Sequence, residues 1–409
     1  MAFLMRSPKQ LLLFAWLAAF VIAHPLCAQS WTQQTNSPAA QWWDIAASAD
    51  GRKIAAVPFD GAIYISSDCG LTWAGATNAP DSGWTCIVSS ADGIKLAAIN
   101  TEGGPNNQDT VIYASTNSGA IWTLMPTPSP LLDCLASSAD GSTLIAGDWN
   151  DFAGPSLIYT SHDSGMTWIT NHAPSEYWTS VACSADGSKI VAGCVNPEST
   201  GTIFISSDGG TNWRPTNLPF TNWQAVASSA DGSKLVAAVS GGSVYTSADS
   251  GQTWVPTSLP ALAWISVASS ADGARLVAVN EYGLINSLGA IYTSSDSGQT
   301  WLSNNVPNNV SWQSVVSSAD GNSLAVATFE NSIYTVHSVP HPQLSLQDSA
   351  SSIALSWIIP AASFTLQQSD DLISWTNMDL NPTLNISDLK NQVILSRSNP
   401  ARFYRLRAR

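Results

Sequence analysis

The chain has 409 residues, with 44% hydrophobic and only 11% charged residues, 18 tryptophans and a formal net charge of −14. This composition fits an all-β protein rich in tryptophan. The surplus of acid argues against nucleic-acid partners, which need a basic surface.

Taken in order, Arg6 and Lys9 precede the apolar run 11–23, and Leu26-Cys27-Ala28 supplies a cleavage site before Gln29. Residues 1–28 therefore read as a signal peptide, and the mature protein as extracytoplasmic: periplasmic, cell-surface or secreted. Nothing later is long and apolar enough to span a membrane.

From Trp31 to Val339 one unit recurs seven times, whole or in part. Its first signal is an Ala-Asp-Gly turn, with the Asp at 50, 92, 140, 186, 231, 272 and 320. Asp-Gly between apolar runs marks a tight hairpin. Its second is Ser-x-Asp-x-Gly-x-Thr-Trp, intact at 66–73, 161–168, 247–254 and 294–301. Two copies are altered: 115–122 carries Asn117 and Ile121, and 206–213 carries Asn212.

A period of 41 to 48 residues suits four-stranded propeller blades. In the fifth copy, 224–230, 234–239, 243–247 and 253–257 serve as strands A to D. The spacing from the Asp (or Asn117) of this second run to the next turn Asp is 23 or 24 residues, whereas the spacing from turn to run varies from 18 to 25. Length variation thus falls between strands B and C. The B–C and D–A connections then form a variable face, and the turns and eight-residue runs form a regular one. Counting back from Asp50 places Trp31 in a fourth strand without its first three, while 312–338 supplies three strands without a fourth. The N-terminal strand is expected to complete the last blade and close the ring.

The Ser-x-Asp-x-Gly-x-Thr-Trp runs resemble the Asp-box, or BNR, repeat of sialidases, xyloglucan-cleaving glycosidases, sortilin-type receptors and photosystem II assembly-factor-like propellers. The resemblance covers residues 31–339 and is specific for fold, not function. It implies that the box is a turn between strands C and D whose polar oxygens satisfy turn amides. A metal or ligand role for Asp68, Asp163, Asp208, Asp249 or Asp296 is correspondingly the minor reading. Sialidase chemistry resembles a pocket of three arginines, and the propeller's three, Arg52, Arg214 and Arg275, sit on the regular face by a turn or a box.

Two sets of residues are candidate ligand-binding groups. Trp42, Trp84, Trp178, Trp223, Trp264 and Trp312 each stand eight residues before a turn Asp, with Leu132 in the third blade. Either they form an aromatic collar around the channel mouth, or each packs under its neighbour. Long B–C loops in blades two, three, four and six suggest a groove over blades two to four holding Glu102, Asp109, Asp148, Trp149, Asp151, Phe152 and Glu198, with Glu176 and Tyr177 close by; Glu281 and Tyr282, in the long loop of blade six, are further candidates. A glycosidase needs two carboxylates across a cleft, and Asp44, Asp133, Asp148 and Glu281 are the candidates. The expected function is a non-catalytic module that binds protein or glycan through the variable face, as a monomer, with no cofactor and no metal; a xyloglucan-cleaving glycoside hydrolase is the alternative.

Five cysteines follow the leader: Cys69, Cys86, Cys134, Cys183 and Cys194. Cys86 and Cys134 share one register in adjacent blades and are the best candidate disulfide; the other reading makes all five small apolar fillers. No spacing suits zinc.

After Val339-Pro340-His341-Pro342 the character changes, and residues 340–409 read as a small C-terminal β-sandwich-like module, similar to short fibronectin-like modules of secreted bacterial proteins. Residues 29–339 carry 7 Lys+Arg against 24 Asp+Glu; residues 340–409 carry 6 against 5.

Overall fold

A computed structural model describes residues 31–81, 83–102, 109–149, 156–195, 201–281, 289–330 and 332–337, then 344–349, 352–358, 364–369, 374–378, 382–385, 390–396 and 403–408. The expected leader, and Asp151, Phe152, Glu198 and Tyr282, lie outside the described residues. The described residues fall into two compact units, 31–337 and 344–408. Among them every regular element is a strand.

The fifth repeat shows how the unit folds. Trp223–Ser228 (strand A) pairs antiparallel with Leu235–Gly242 (B), which pairs with Val244–Ser247 (C), which pairs with Val255–Pro256 (D). The same order recurs from strands A at Trp42–Ala47, Trp84–Ser89, Leu132–Ser137, Tyr177–Cys183 and Leu262–Ser269. The last sheet contributes Trp312–Ser317, Ser323–Thr328 and Ile333–His337, and takes its fourth strand, Thr32–Gln33, from the start of the ring. Thr32 lies opposite Thr335 and Gln33 opposite Tyr334. Gln34 adds a bond from Nε2 to Thr335 Oγ1 at 2.6 Å, and Trp31 packs on the core that holds Trp312 and Tyr334.

One hydrogen-bond cycle ties the sheets together. Ala49 N donates to Ala91 O, and the relay continues through Ala139, Ala185, Ala230, Ala271 and Ala319, whose N donates to Ala49 O, every step 2.7–2.8 Å. A donor chain that returns to its origin in this way is a closed ring, and the fold is an all-β propeller. Strand B is buried along its length, as in Ile54–Pro58 and Leu96–Asn100, because both its faces meet neighbouring sheets. Ala56, Ala98, Ala146, Ala192, Ala278 and Ala327 sit fully buried at its middle, where sheets converging on one axis leave room only for small side chains. Strand D is short and exposed, which blunts the outer edge.

The turn chemistry explains the repeated residues. Asp50 Oδ1 accepts from Ser48 Oγ at 2.6 Å and from Arg52 N at 3.0 Å, and Ser48 Oγ accepts from Lys53 N at 3.0 Å. Gly51 has φ +70°, and a Cβ there would lie 2.7 Å from Ser323 Cβ in the preceding sheet, so glycine is needed twice over. Each box bonds to its own turn, as Cys69 N does to Arg52 O and Ser250 N to Ser233 O. Turns and boxes therefore share one face, and the variable loops occupy the other.

All five described cysteines are free, so the candidate Cys86–Cys134 bridge is not present and the other reading, five unbridged cysteines, holds. The reason lies in the direction of the side chains at that register. Each reaches forward to the next sheet: Asp44 Oδ2 accepts from Ile87 N, Ser180 Oγ from Val226 N and Ser266 Oγ from Val315 N, and Cys134 Sγ lies 3.7 Å from Trp178 O. Thiols that point the same way round a ring do not meet.

In the second unit, Ser345–Asp348, Ser352–Ile358, Lys390–Ser396 and Thr383–Asn385 form one sheet, and Thr376–Asn377, Phe364–Ser369 and Phe403–Ala408 another. Leu344, Ile353, Leu355, Trp357, Leu366, Val393 and Tyr404 make its core. Arg405 lies over the Trp375 ring at 4.1 Å and donates to Gln367 Oε1.

Candidate functional site: the variable face

The six strand-A tryptophans do not form a collar. Trp42, Trp84, Trp178, Trp223, Trp264 and Trp312 are fully buried, each set edge-on to an aromatic of its own strand C at 5.1–5.7 Å. A bulge causes this. Trp42 pairs with Pro58 and Asp44 with Val57, so Trp43 is an extra residue in the ladder, and the same shift recurs in all seven strands A. The bulge turns the tryptophan into the layer between sheets, and of the seven residues that follow it Trp43 and Asp133 are exposed.

Those next residues are Trp43, Thr85, Asp133, Thr179, Gln224, Ile265 and Gln313. Strand A is covered by neighbouring sheets on both faces and by strand B on its outer edge. A side chain on it that reaches water does so through the axial channel or its mouth. Asp133 is exposed in this sense, yet protein surrounds it, and that desolvation pushes its carboxyl up to about 6. It makes no hydrogen bond among the described residues. Trp43, 39% exposed, lies 5.5 Å from the ring of Phe59, which is 45% exposed. Phe329 occupies in the last blade the place of Phe59 in the first, and is also exposed. Trp149 stacks on Tyr177 of the next blade, centroids 5.7 Å apart and planes at 25°. Sequence reasoning found this second pair and missed Trp43, Phe59 and Phe329; the doublet Trp42-Trp43 was the available signal.

The proposed carboxylates separate into different roles. Asp44 accepts from Ile45 N, Ile87 N and Ser314 Oγ at 2.6–2.8 Å, so it joins three blades. Its pKa is raised by burial, with the hydrogen bonds opposing. Asp148 is 3% exposed and is not a rim residue. It lies opposite Leu132, the one blade without the tryptophan, and there Tyr159 donates its hydroxyl to Asp148 Oδ2 at 3.2 Å. Burial raises Asp148 too. Glu281 is half-buried at the end of its strand B, with its pKa raised by burial and then by Glu330. Glu176, beside Tyr177, is raised by burial. Glu102 is exposed and Asp109 half-buried.

The box aspartates are consumed by their own turns. Asp249 accepts from Ser247 Oγ, Thr253 N and Thr253 Oγ1 at 2.6–2.8 Å. The threonine bonds lead in holding Asp163 and Asp249 down at about 2. In the altered second box Asn117 keeps the bond to the Ile121 amide and loses the threonine hydroxyl. No group of three or more potential metal ligands occurs among the described residues.

Two larger cavities, about 500 and 520 Å³, lie on the opposite face, between blades two and three and blades four and five. A shallower one of about 180 Å³ marks the channel mouth on that face, ringed by alanines and serines such as Ala49, Ala91, Ser89 and Ser137. Ser89, Ser137, Ser228, Ser269 and Ser317 each donate to the following carbonyl there, which leaves that mouth chemically bland.

No protein-family profile matches the chain, and no curated protein matches it. Among solved structures, a GH74 xyloglucanase from Xanthomonas campestris is similar, at 14% identity and TM-score 0.58, over 81% of this chain and 59% of its own. The chain thus spans less than two thirds of that enzyme. YCF48 bound to a D1 peptide gives 16% identity and TM-score 0.55 over 76% of this chain and 98% of its own. YCF48 from Cyanidioschyzon merolae gives 15% and 0.55 over 76% and 99%. The likeness is one of fold. It is to β-propellers, one of them with a peptide bound.

Proposed function

We propose that this is a secreted, non-catalytic binding propeller that recognises a protein or a glycan through its variable face. One observation carries the reading: that face presents the aromatic pairs Trp43–Phe59 and Trp149–Tyr177, while Asp44 and Asp148 lie beneath it as internal hydrogen-bond acceptors. Large amphipathic rings supply contact area at low entropic cost. Glycoside hydrolysis needs a second carboxylate facing Asp133 across a cleft, and Asp44 is already saturated.

The alternative, xyloglucan cleavage, is tested by incubating the full chain with xyloglucan and mixed-linkage β-glucan oligosaccharides. The proposal predicts no new reducing ends, and binding to protein or glycan that weakens when Trp43 or Trp149 becomes alanine. Turnover abolished by Asp133→Asn would replace it with the hydrolase.

A further inference from the structure

The ring's cations are confined to one face, which they share with the turn and box aspartates, while its other acids lie on the opposite face. All seven Lys and Arg between residues 29 and 339 fall on the turn-and-box face: Arg52, Lys53, Lys95, Lys189, Lys234 and Arg275 follow turn aspartates, and Arg214 follows a box tryptophan. The structure holds them there. Lys53 Nζ donates to Asp92 O and Ser118 Oγ, Lys189 Nζ to Asp231 O, and Arg214 to Ser250 O. No Lys or Arg stands in any B–C or D–A connection, whereas those connections carry Asp60, Asp81, Glu102, Asp109, Glu176 and Glu330 among others. The variable face is therefore uniformly acidic, and its field attracts cations from a distance.

At the channel mouth on that face the charge is uncompensated. Of the seven bulge residues only Asp133 is ionisable, and among the described residues it has neither a hydrogen bond nor a cation beside it. The titratable groups it acts on are Cys134 of its own strand and Cys86 of the preceding blade, neither of which is cationic. Thr85, its counterpart in the neighbouring blade, has a buried hydroxyl oxygen without a partner among the described residues. The equivalent Thr179 bonds both Gly193 O and Trp223 O. A carboxylate hemmed in by protein that no described residue satisfies is a liability to the fold and an asset to a site.

We infer that the variable face takes a basic peptide segment, with a lysine or arginine side chain entering the channel mouth and Asp133 as its counter-ion. The inference rests on the binding reading above and narrows it from protein or glycan to a cationic polypeptide. Exposed Trp43 supplies an aromatic surface of the kind that favours cations.

The test titrates hexalysine amide into the full chain at low salt, by calorimetry, for wild type, Asp133→Asn and Asp81→Asn. Asp81 is an exposed acid of the same face, and its substitution removes equal charge away from the mouth. The expected result is saturable binding to wild type, weakened about tenfold or more by Asp133→Asn and no more than about twofold by Asp81→Asn. Equal weakening in both variants, or no saturable binding, overturns the inference. Binding of a neutral glucan oligosaccharide without turnover, alongside no hexalysine binding, sinks this inference and leaves the binding reading standing.

Discussion

Asp133 is the residue at which stability and function pull apart. Its folded pKa, about 6, stands above the ordinary 3.8, so the stability it allows is fully present below about 3.8 and is lost as pH rises through 6. Asp133→Asn should therefore raise the melting temperature at pH 7.5 and leave it unchanged at pH 4. Discounted for contact with channel water, the gain is on the order of 1 kcal/mol, or roughly 2 °C, readable by calorimetry at the two pH values. Asp44 presents the opposite case. Burial raises it too, but three donors from three blades converge on it, and Asp44→Ala strands the Ile87 amide. We expect a loss of about 2–4 kcal/mol in urea unfolding, with Asp44→Asn recovering part of it. Neither role was legible in the sequence, where the two differ only in register: residue 44 lies one place beyond a bulge and residue 133 on it. The bulge positions hold Trp, Thr, Asp, Thr, Gln, Ile and Gln, and a backbone irregularity with no residue preference leaves no pattern to read.

The repeated elements were legible because their chemistry is obligatory. In each box a buried serine hydroxyl accepts from a glycine amide, as Ser247 Oγ does from Gly251 N at 2.9 Å, while donating to the aspartate, or to Asn117 in the altered second box. Ser247→Ala removes both bonds and leaves a buried amide unpaired, a cost of about 1–2 kcal/mol measurable by urea unfolding. Gly232→Ala should cost at least as much, since φ is +65° and the new Cβ would lie 2.7 Å from Lys189 Cδ. The tryptophans of strand A were legible as a set but not in direction. Period-2 reasoning gives a side chain one of two faces, and the extra residue after each tryptophan decided which: six rings went into the layers between sheets. Aromatics that do meet solvent, Trp43 and Phe59, lie next to that layer in sequence and outside it in space.

At the scale of the whole ring, closure and pH response follow from the same groups. The terminal strand was predictable by counting from Asp50, because a blade lacking one strand and a strand lacking its blade leave two open edges that only each other can satisfy. Acid strength divides the molecule. Asp163 and Asp249, held near 2, contribute stability that is present above about 3.8 and lost as pH falls toward 2. Asp44, Asp133, Asp148, Glu176 and Glu281, all raised by burial, withdraw stability as pH climbs above about 4. Thermal stability should accordingly peak in mildly acidic buffer, near pH 4–5, and a maximum above pH 7 in a melting series would contradict that division. The account as a whole depends on which indoles face water. Hydroxyl-radical labelling of the folded chain, read residue by residue by mass spectrometry, measures this directly. It should oxidise Trp43 and Trp149 readily and leave Trp42, Trp84, Trp178, Trp223, Trp264 and Trp312 protected until unfolding. Labelling of those six in the native state at the rate of Trp43 would contradict it.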